Sequence, residues 1–227
     1  MIREYIVKFA CFFLLLGLTA GTIIQIELLK PGILFLSETA AYFYLLPAHI
    51  WLTSISFLVI FASTISLIRH GSTLGHWAVW LGAALFILIL AGAPLHLTLS
   101  RLPSDTYLAD TYFLTASRHA YGIAFLLASL GGLTALIKIK IKTFPLKISF
   151  GFASLITLSG SALTILQAGL GLNGLPRRYI DYPEQFADPQ FYSSVAAMAC
   201  FGLSVIYIIM LWRGSRNASE KSEDIFS

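Results

Sequence analysis

Leu175-Pro176-Arg177-Arg178-Tyr179-Ile180-Asp181-Tyr182-Pro183-Glu184 is a polar interruption in a chain of long apolar runs. Two adjacent guanidiniums next to a bilayer are costly unless anions meet them. Arg carries a planar fork of donors suited to bidentate recognition of carboxylates. Held between two prolines, the pair reads as a loop at a membrane surface that clamps a carboxylate-bearing group.

On either side of this loop the composition is that of a membrane protein. Hydrophobic residues make up 57% and charged residues 11% of 227 residues, with mean hydropathy +0.81. A soluble domain carries about 25% charged residues. A spanning helix needs about 20 apolar residues. Six runs qualify: Phe9–Leu28, Leu45–Ile68, Trp77–Leu99, Thr111–Ile137, Leu146–Leu170 and Phe191–Trp212. The expected fold class is therefore all-α integral membrane, a six-helix bundle over residues 1–213. Residues 214–227, rich in Ser, Glu and Lys, are expected to form a disordered tail. Arg3 and Lys8 before the first run also fit a signal peptide. The length of that run and the following Glu27-Leu28-Leu29-Lys30-Pro31-Gly32 favour a retained helix.

Cations orient the bundle. The N-terminus, the second and fourth loops and the C-terminus carry ten Lys and Arg residues, and the opposite loops carry four: Lys30, Arg101, Arg177 and Arg178. Both termini are thus expected in the cytoplasm, as in a bacterial inner membrane. The net charge of +4 is a topology signal. Nucleic-acid binding is excluded as a reading, because the Lys138–Lys142 alternation flanks a helix end without aromatic stacking platforms. Cys11 and Cys200 lie in apolar runs without CxxC or metal-ligand spacing, so they read as packing residues.

The histidines add chemistry on the side of the Arg pair. His49 lies near the outer end of the second run, and His119 about two turns into the fourth. An imidazole within a membrane is costly and usually faces the bundle interior. Two at matched depth, with an Arg pair above, fit a bis-His haem whose propionates meet the guanidiniums. A single membrane His also serves as an interhelical hydrogen bonder, and His96 on the third run is a rival ligand. His70 and His76 are expected in a solvated inner loop.

Three separated blocks resemble subunit I of the haem–copper oxidases. Glu27–Gly32, Tyr42 and Ala48-His49 are similar to the end of that family's first helix and the start of its second. Asp110-Thr111-Tyr112-Phe113 followed by His119 resembles its tenth helix. Leu175–Glu184 with the run from Phe191 resembles its last loop and helix. The third run would correspond to the ninth helix by position only. The resemblance implies that His49 and His119 are the two axial ligands of one low-spin haem. It also implies that Arg177 and Arg178 hold the propionates, with Tyr112, Asp110 and Gln25 beside the haem.

The departures limit what the resemblance carries. The family's axial His for an oxygen-binding haem is replaced by Ser117. The helices bearing the copper-ligating histidines have no counterpart. Five histidines in all fall short of the six that both haems and copper need, so neither copper nor oxygen reduction is expected. Ala109 stands where a magnesium-binding His precedes the residue matching Asp110, which makes a magnesium site doubtful and leaves Asp110 to hydrogen-bond near the propionates. Gln25 replaces an Arg that contacts the formyl group of haem A, leaving haem B and haem A both open. Arg118 beside His119 is unusual for the family; a propionate, a partner subunit and the outer membrane interface remain as its counterparts.

Two functions follow as expectations. The first is a membrane electron-transfer cytochrome subunit of a respiratory complex. It would exchange electrons at its outer face with a quinol or with a c-type cytochrome or copper protein. Asp181, Glu184 and Asp188 there would attract a basic partner or simply be solvated. The second is a non-catalytic structural or assembly subunit of such a complex. A transporter is disfavoured, because no helix has a Gly/Pro-broken centre and no halves repeat.

Overall fold

The computed structural model describes residues 9, 12–20, 23, 74–101, 111–138, 145–175 and 184–223, and the elements they form are all helices. Residues 12–20 are helical. Helix α1 spans Leu74–Ile87 and passes through a π-helical turn at Leu88–Gly92 into α2, Ala93–Arg101. Helices α3, Tyr112–Lys138, and α4, Leu146–Leu172, follow. A 3-10 turn at Glu184–Phe186 leads into α5, Ala187–Glu223.

Local sequence accounts for the breaks. Pro94 has no amide hydrogen, and its ring crowds the carbonyl four residues back. The wider π turn just before it absorbs that conflict. Thr111 immediately precedes helix α3, and its Oγ1 accepts the Phe113 amide at 3.3 Å, as an N-cap side chain does. Helix α4 starts after Pro145, in extended conformation at φ −72° and ψ 135°.

Helix α4 ends in a Schellman motif. The Leu175 amide donates to the Leu170 carbonyl at 3.0 Å, and the Gly174 amide to Gly171 at 3.1 Å. Gly174 sits at φ 90°, a backbone region that disfavours side chains. Leu170 and Leu175 are both buried, the apolar contact that accompanies this cap. Pro176 follows and cannot prolong the helix.

Helix α3 is the central element. Its buried residues run from Phe113 to Ala135, and it packs against α1, α4 and α5. Close approach comes through glycine. A Cβ at Gly131 would lie 2.6 Å from Trp80 Cβ, and one at Gly160 would lie 2.7 Å from Ile123 Cγ2. In lipid there is no hydrophobic drive between helices, so dispersion contact through small residues holds them together. Leu14 and Leu18 of the first helical segment join the same core.

Large apolar side chains point outward as well, among them Phe125, Phe150, Leu158 and Ile165. Lipid is the solvent that suits such a surface. Among the described residues, Gly75–Leu95, Leu146–Leu172 and Glu184–Gly214 are long and apolar enough to cross a membrane. Helix α3 matches them in length at 27 residues.

Several sequence expectations change in detail. The run Leu45–Ile68 lies outside the described residues, and the first run is described only in part. The third helix begins at Leu74 instead of Trp77. The last continues to Glu223 instead of stopping at Trp212. No proline interrupts residues 213–223, so the helical ladder propagates from the apolar part into the polar segment where disorder is expected. His76 is not solvated. It belongs to α1, is 1% exposed, and its Nδ1 lies 2.8 Å from Ser149 Oγ. The start of α4 covers it, which its own neighbourhood in sequence does not reveal.

Candidate functional site

His119 lies two turns into α3 and is half-buried. Its Nδ1 hydrogen-bonds Gln167 Oε1 on α4, 48 positions away, and Gln167 is itself buried. An amide oxygen only accepts, so with Oε1 facing the ring the imidazole proton sits on Nδ1. The lone pair of the neutral ring then belongs to Nε2. A metal-ligating His typically has this arrangement, with its remote nitrogen donating to an acceptor that fixes tautomer and orientation. His119 is thus an interhelical hydrogen bonder and, through the same bond, has the tautomer of an axial ligand. These residues fit the group that the sequence implies.

The level of His119 against Gln167 is imposed from both sides. Toward the bundle centre, Gly160 of α4 meets Ile123 of α3. Toward the helix ends, a Cβ on Gly171 would fall 2.6 Å from Phe113 Cα. Beyond that, the Tyr112 amide donates to the Leu175 carbonyl at 3.1 Å. The helix bearing His119 is therefore bonded to a residue two positions before Arg177. Leu175, the first residue of the Arg-pair block, is thus bonded to Tyr112 of the block that carries His119.

Tyr112 is half-buried at that end, Ser117 is buried two residues before His119, and Arg118 is exposed. His49, Gln25, Asp110, Arg177 and Arg178 lie outside the described residues. His96 is on α2, with its side chain outside them. Glu184 and Asp188 are exposed. Asp188 stands in the first turn of α5, where a negative charge complements the helix dipole. Gln167 escaped the sequence analysis, although it is the one amide side chain in the apolar run Leu146–Leu170. A polar residue at that depth was the available signal.

A second polar cluster occupies the opposite end of α3. Ser149 Oγ lies 3.0 Å from the Tyr207 hydroxyl, which lies 2.7 Å from Thr134 Oγ1. Thr134 donates to the Leu130 carbonyl at 2.6 Å. One direction of donation satisfies the whole chain: His76 to Ser149, to Tyr207, to Thr134, to backbone. The Tyr207 ring packs 4.8 Å from Trp80 and 5.1 Å from Phe152, centroid to centroid. This network ties α1, α3, α4 and α5 together. Thr134 is about 22 Å along α3 from His119, at 1.5 Å per residue, so the cluster stands apart from the His119 site. A cleft of about 600 Å³ between the end of α4 and the start of α5 includes Leu170, Asn173 and Phe186, and neither His119 nor Gln167 lines it.

Outward apolar surface, interhelical hydrogen bonds between buried polar side chains, and glycine-mediated contacts define a helical membrane protein. The chain is 30% identical over 157 residues to cytochrome c oxidase subunit 1 of Cereibacter sphaeroides. The match takes in 61% of this chain and 25% of that protein. No family model matches the chain. The relationship to oxidase subunit 1 is distant, and the chain spans about a quarter of that relative's length.

Proposed function

We propose that this chain is a membrane electron-transfer cytochrome subunit related to cytochrome c oxidase subunit 1. The observation that carries the reading is His119, held on the central helix by buried Gln167 at the end where Tyr112 bonds Leu175. In this reading His49 and His119 hold one low-spin haem, of type B or A. Arg177 and Arg178 compensate its propionates, and Tyr112, Asp110 and Gln25 lie beside it. A haem held by His49 and His119 would supply one-electron transfer, because two histidine ligands would leave its iron no position for oxygen.

In this reading Gln167 orients His119, and Arg177 and Arg178 would neutralise propionate charge at the membrane surface. On the same reading the chain has six spans in a bacterial inner membrane, and the cation asymmetry supports putting this end outside and both termini in the cytoplasm. The redox partner is then a quinol or an outer-face c-type cytochrome or copper protein, and the neighbours are other respiratory-complex subunits. The reading assigns no role to copper, and the loss of the neighbouring His at Ala109 argues against magnesium.

The visible and electron paramagnetic resonance spectra of the purified protein test this. A six-coordinate low-spin haem, with a reduced spectrum unmoved by carbon monoxide, is the expected result. A colourless protein overturns it and leaves a structural subunit of a respiratory complex. A carbon-monoxide shift at full haem occupancy contradicts the filled axial positions.

A further inference from the structure

We infer that Gln167 is a positioning residue that sets the electron-donating strength of His119, and through it the reduction potential of the site. The inference rests on the haem reading above and deepens it. The His119–Gln167 bond is a consequence of rigid register, not of two flexible side chains meeting by chance. On α4, Gly160, Gln167 and Gly171 face Ile123, His119 and Phe113 of α3 in antiparallel order. Both flanking contacts are closer than a methyl group allows. At Gly171 the neighbour is Phe113 backbone, which cannot rotate aside, so a slide that brings a larger residue there is resisted and the amide stays opposite the ring.

The chemistry follows from the bond's direction. An acceptor on Nδ1–H draws the proton outward and returns electron density to the ring. Nε2 becomes the better σ donor, as outer-shell partners do for other His ligands. A stronger donor favours the ferric ion over the ferrous one and lowers the potential. Burial of Gln167 removes the water that would otherwise compete for the bond. A Gln here also keeps the acceptor uncharged. A carboxylate in its place would donate more strongly and would itself be costly inside the membrane.

Redox titration and low-temperature electron paramagnetic resonance of the full chain as purified test the inference. Gln167→Leu removes the acceptor. Its potential should rise, and its low-spin g-values should shift toward those of a less basic imidazole, with both axial histidines retained. Gln167→Glu restores a stronger acceptor, so at alkaline pH its potential should fall below that of the unsubstituted protein. Opposite shifts in the two variants are not what a purely structural residue produces. If Gln167→Leu retains haem with unchanged potential and g-values, the inference is overturned while the haem reading stands. If Gln167→Leu loses its haem, the Glu variant decides, and an unchanged alkaline potential there overturns the inference. A wild-type protein without haem overturns both.

Discussion

Gly171 and Phe113 touch so closely that a β-carbon on the glycine would lie 2.6 Å from the phenylalanine Cα. The obstruction is backbone, which cannot rotate away as a side chain can. This contact, with the Tyr112–Leu175 hydrogen bond just beyond it, clamps the start of α3 to the end of α4.

Gly171→Ala should therefore force α3 and α4 apart at the His119 end. Overpacking of this kind costs about 1–3 kcal/mol, and more where backbone must move. Thermal unfolding in detergent should show the loss, and the His119 environment should broaden spectroscopically. Gly151→Ala is the control, since nothing lies within 4 Å of a Cβ there. Equal stability of the two variants would contradict the clamp.

His49→Leu and His119→Leu should each abolish the bis-His low-spin spectrum, because each removes an iron ligand. His96→Leu should keep it. If the His96 variant alone loses the spectrum, the ligand assignment is wrong and α2 carries the axial residue.

Tyr207→Phe should separate stability from the haem site. It deletes the hydroxyl shared by Thr134 and Ser149 but keeps the ring packed at a tilt against Trp80 and Phe152. Unpairing buried hydrogen-bonding groups costs about 1–3 kcal/mol. The melting temperature should drop while spectrum and potential stay constant. A shifted potential would mean that the two ends of α3 are coupled.

Arg177→Leu and Arg178→Leu each remove compensation from a propionate. Negative charge left near the iron favours the ferric state, so the midpoint potential should fall while the low-spin spectrum persists. A charge-assisted hydrogen bond of this kind is worth about 1.5–3 kcal/mol when desolvated. Unchanged potential and unchanged haem retention in both variants would reduce the pair to a lipid-facing anchor.

Much of this protein was legible in one dimension. Apolar runs of spanning length oblige the backbone to bond within itself, so helices were the expected form. The fifth apolar run, Leu146–Leu170, lies within two residues of the observed span of α4, Leu146–Leu172. His119 stood out because an imidazole is expensive in an apolar run. What local sequence could not convey is which faces meet. His76 reads as a loop residue until α4 brings Ser149 to it, 73 positions later. Gln167 reads as an isolated polar residue until the register of α3 against α4 sets it beside His119. That register depends on glycines whose missing side chains matter only once a partner helix is in place. Helix formation is a local property of the chain, whereas the pairing of polar groups between helices depends on steric fit across long separations in sequence. The sequence by itself determined the apolar runs, their ends and the residues with chemistry to offer; tertiary packing decided which of those residues are partners.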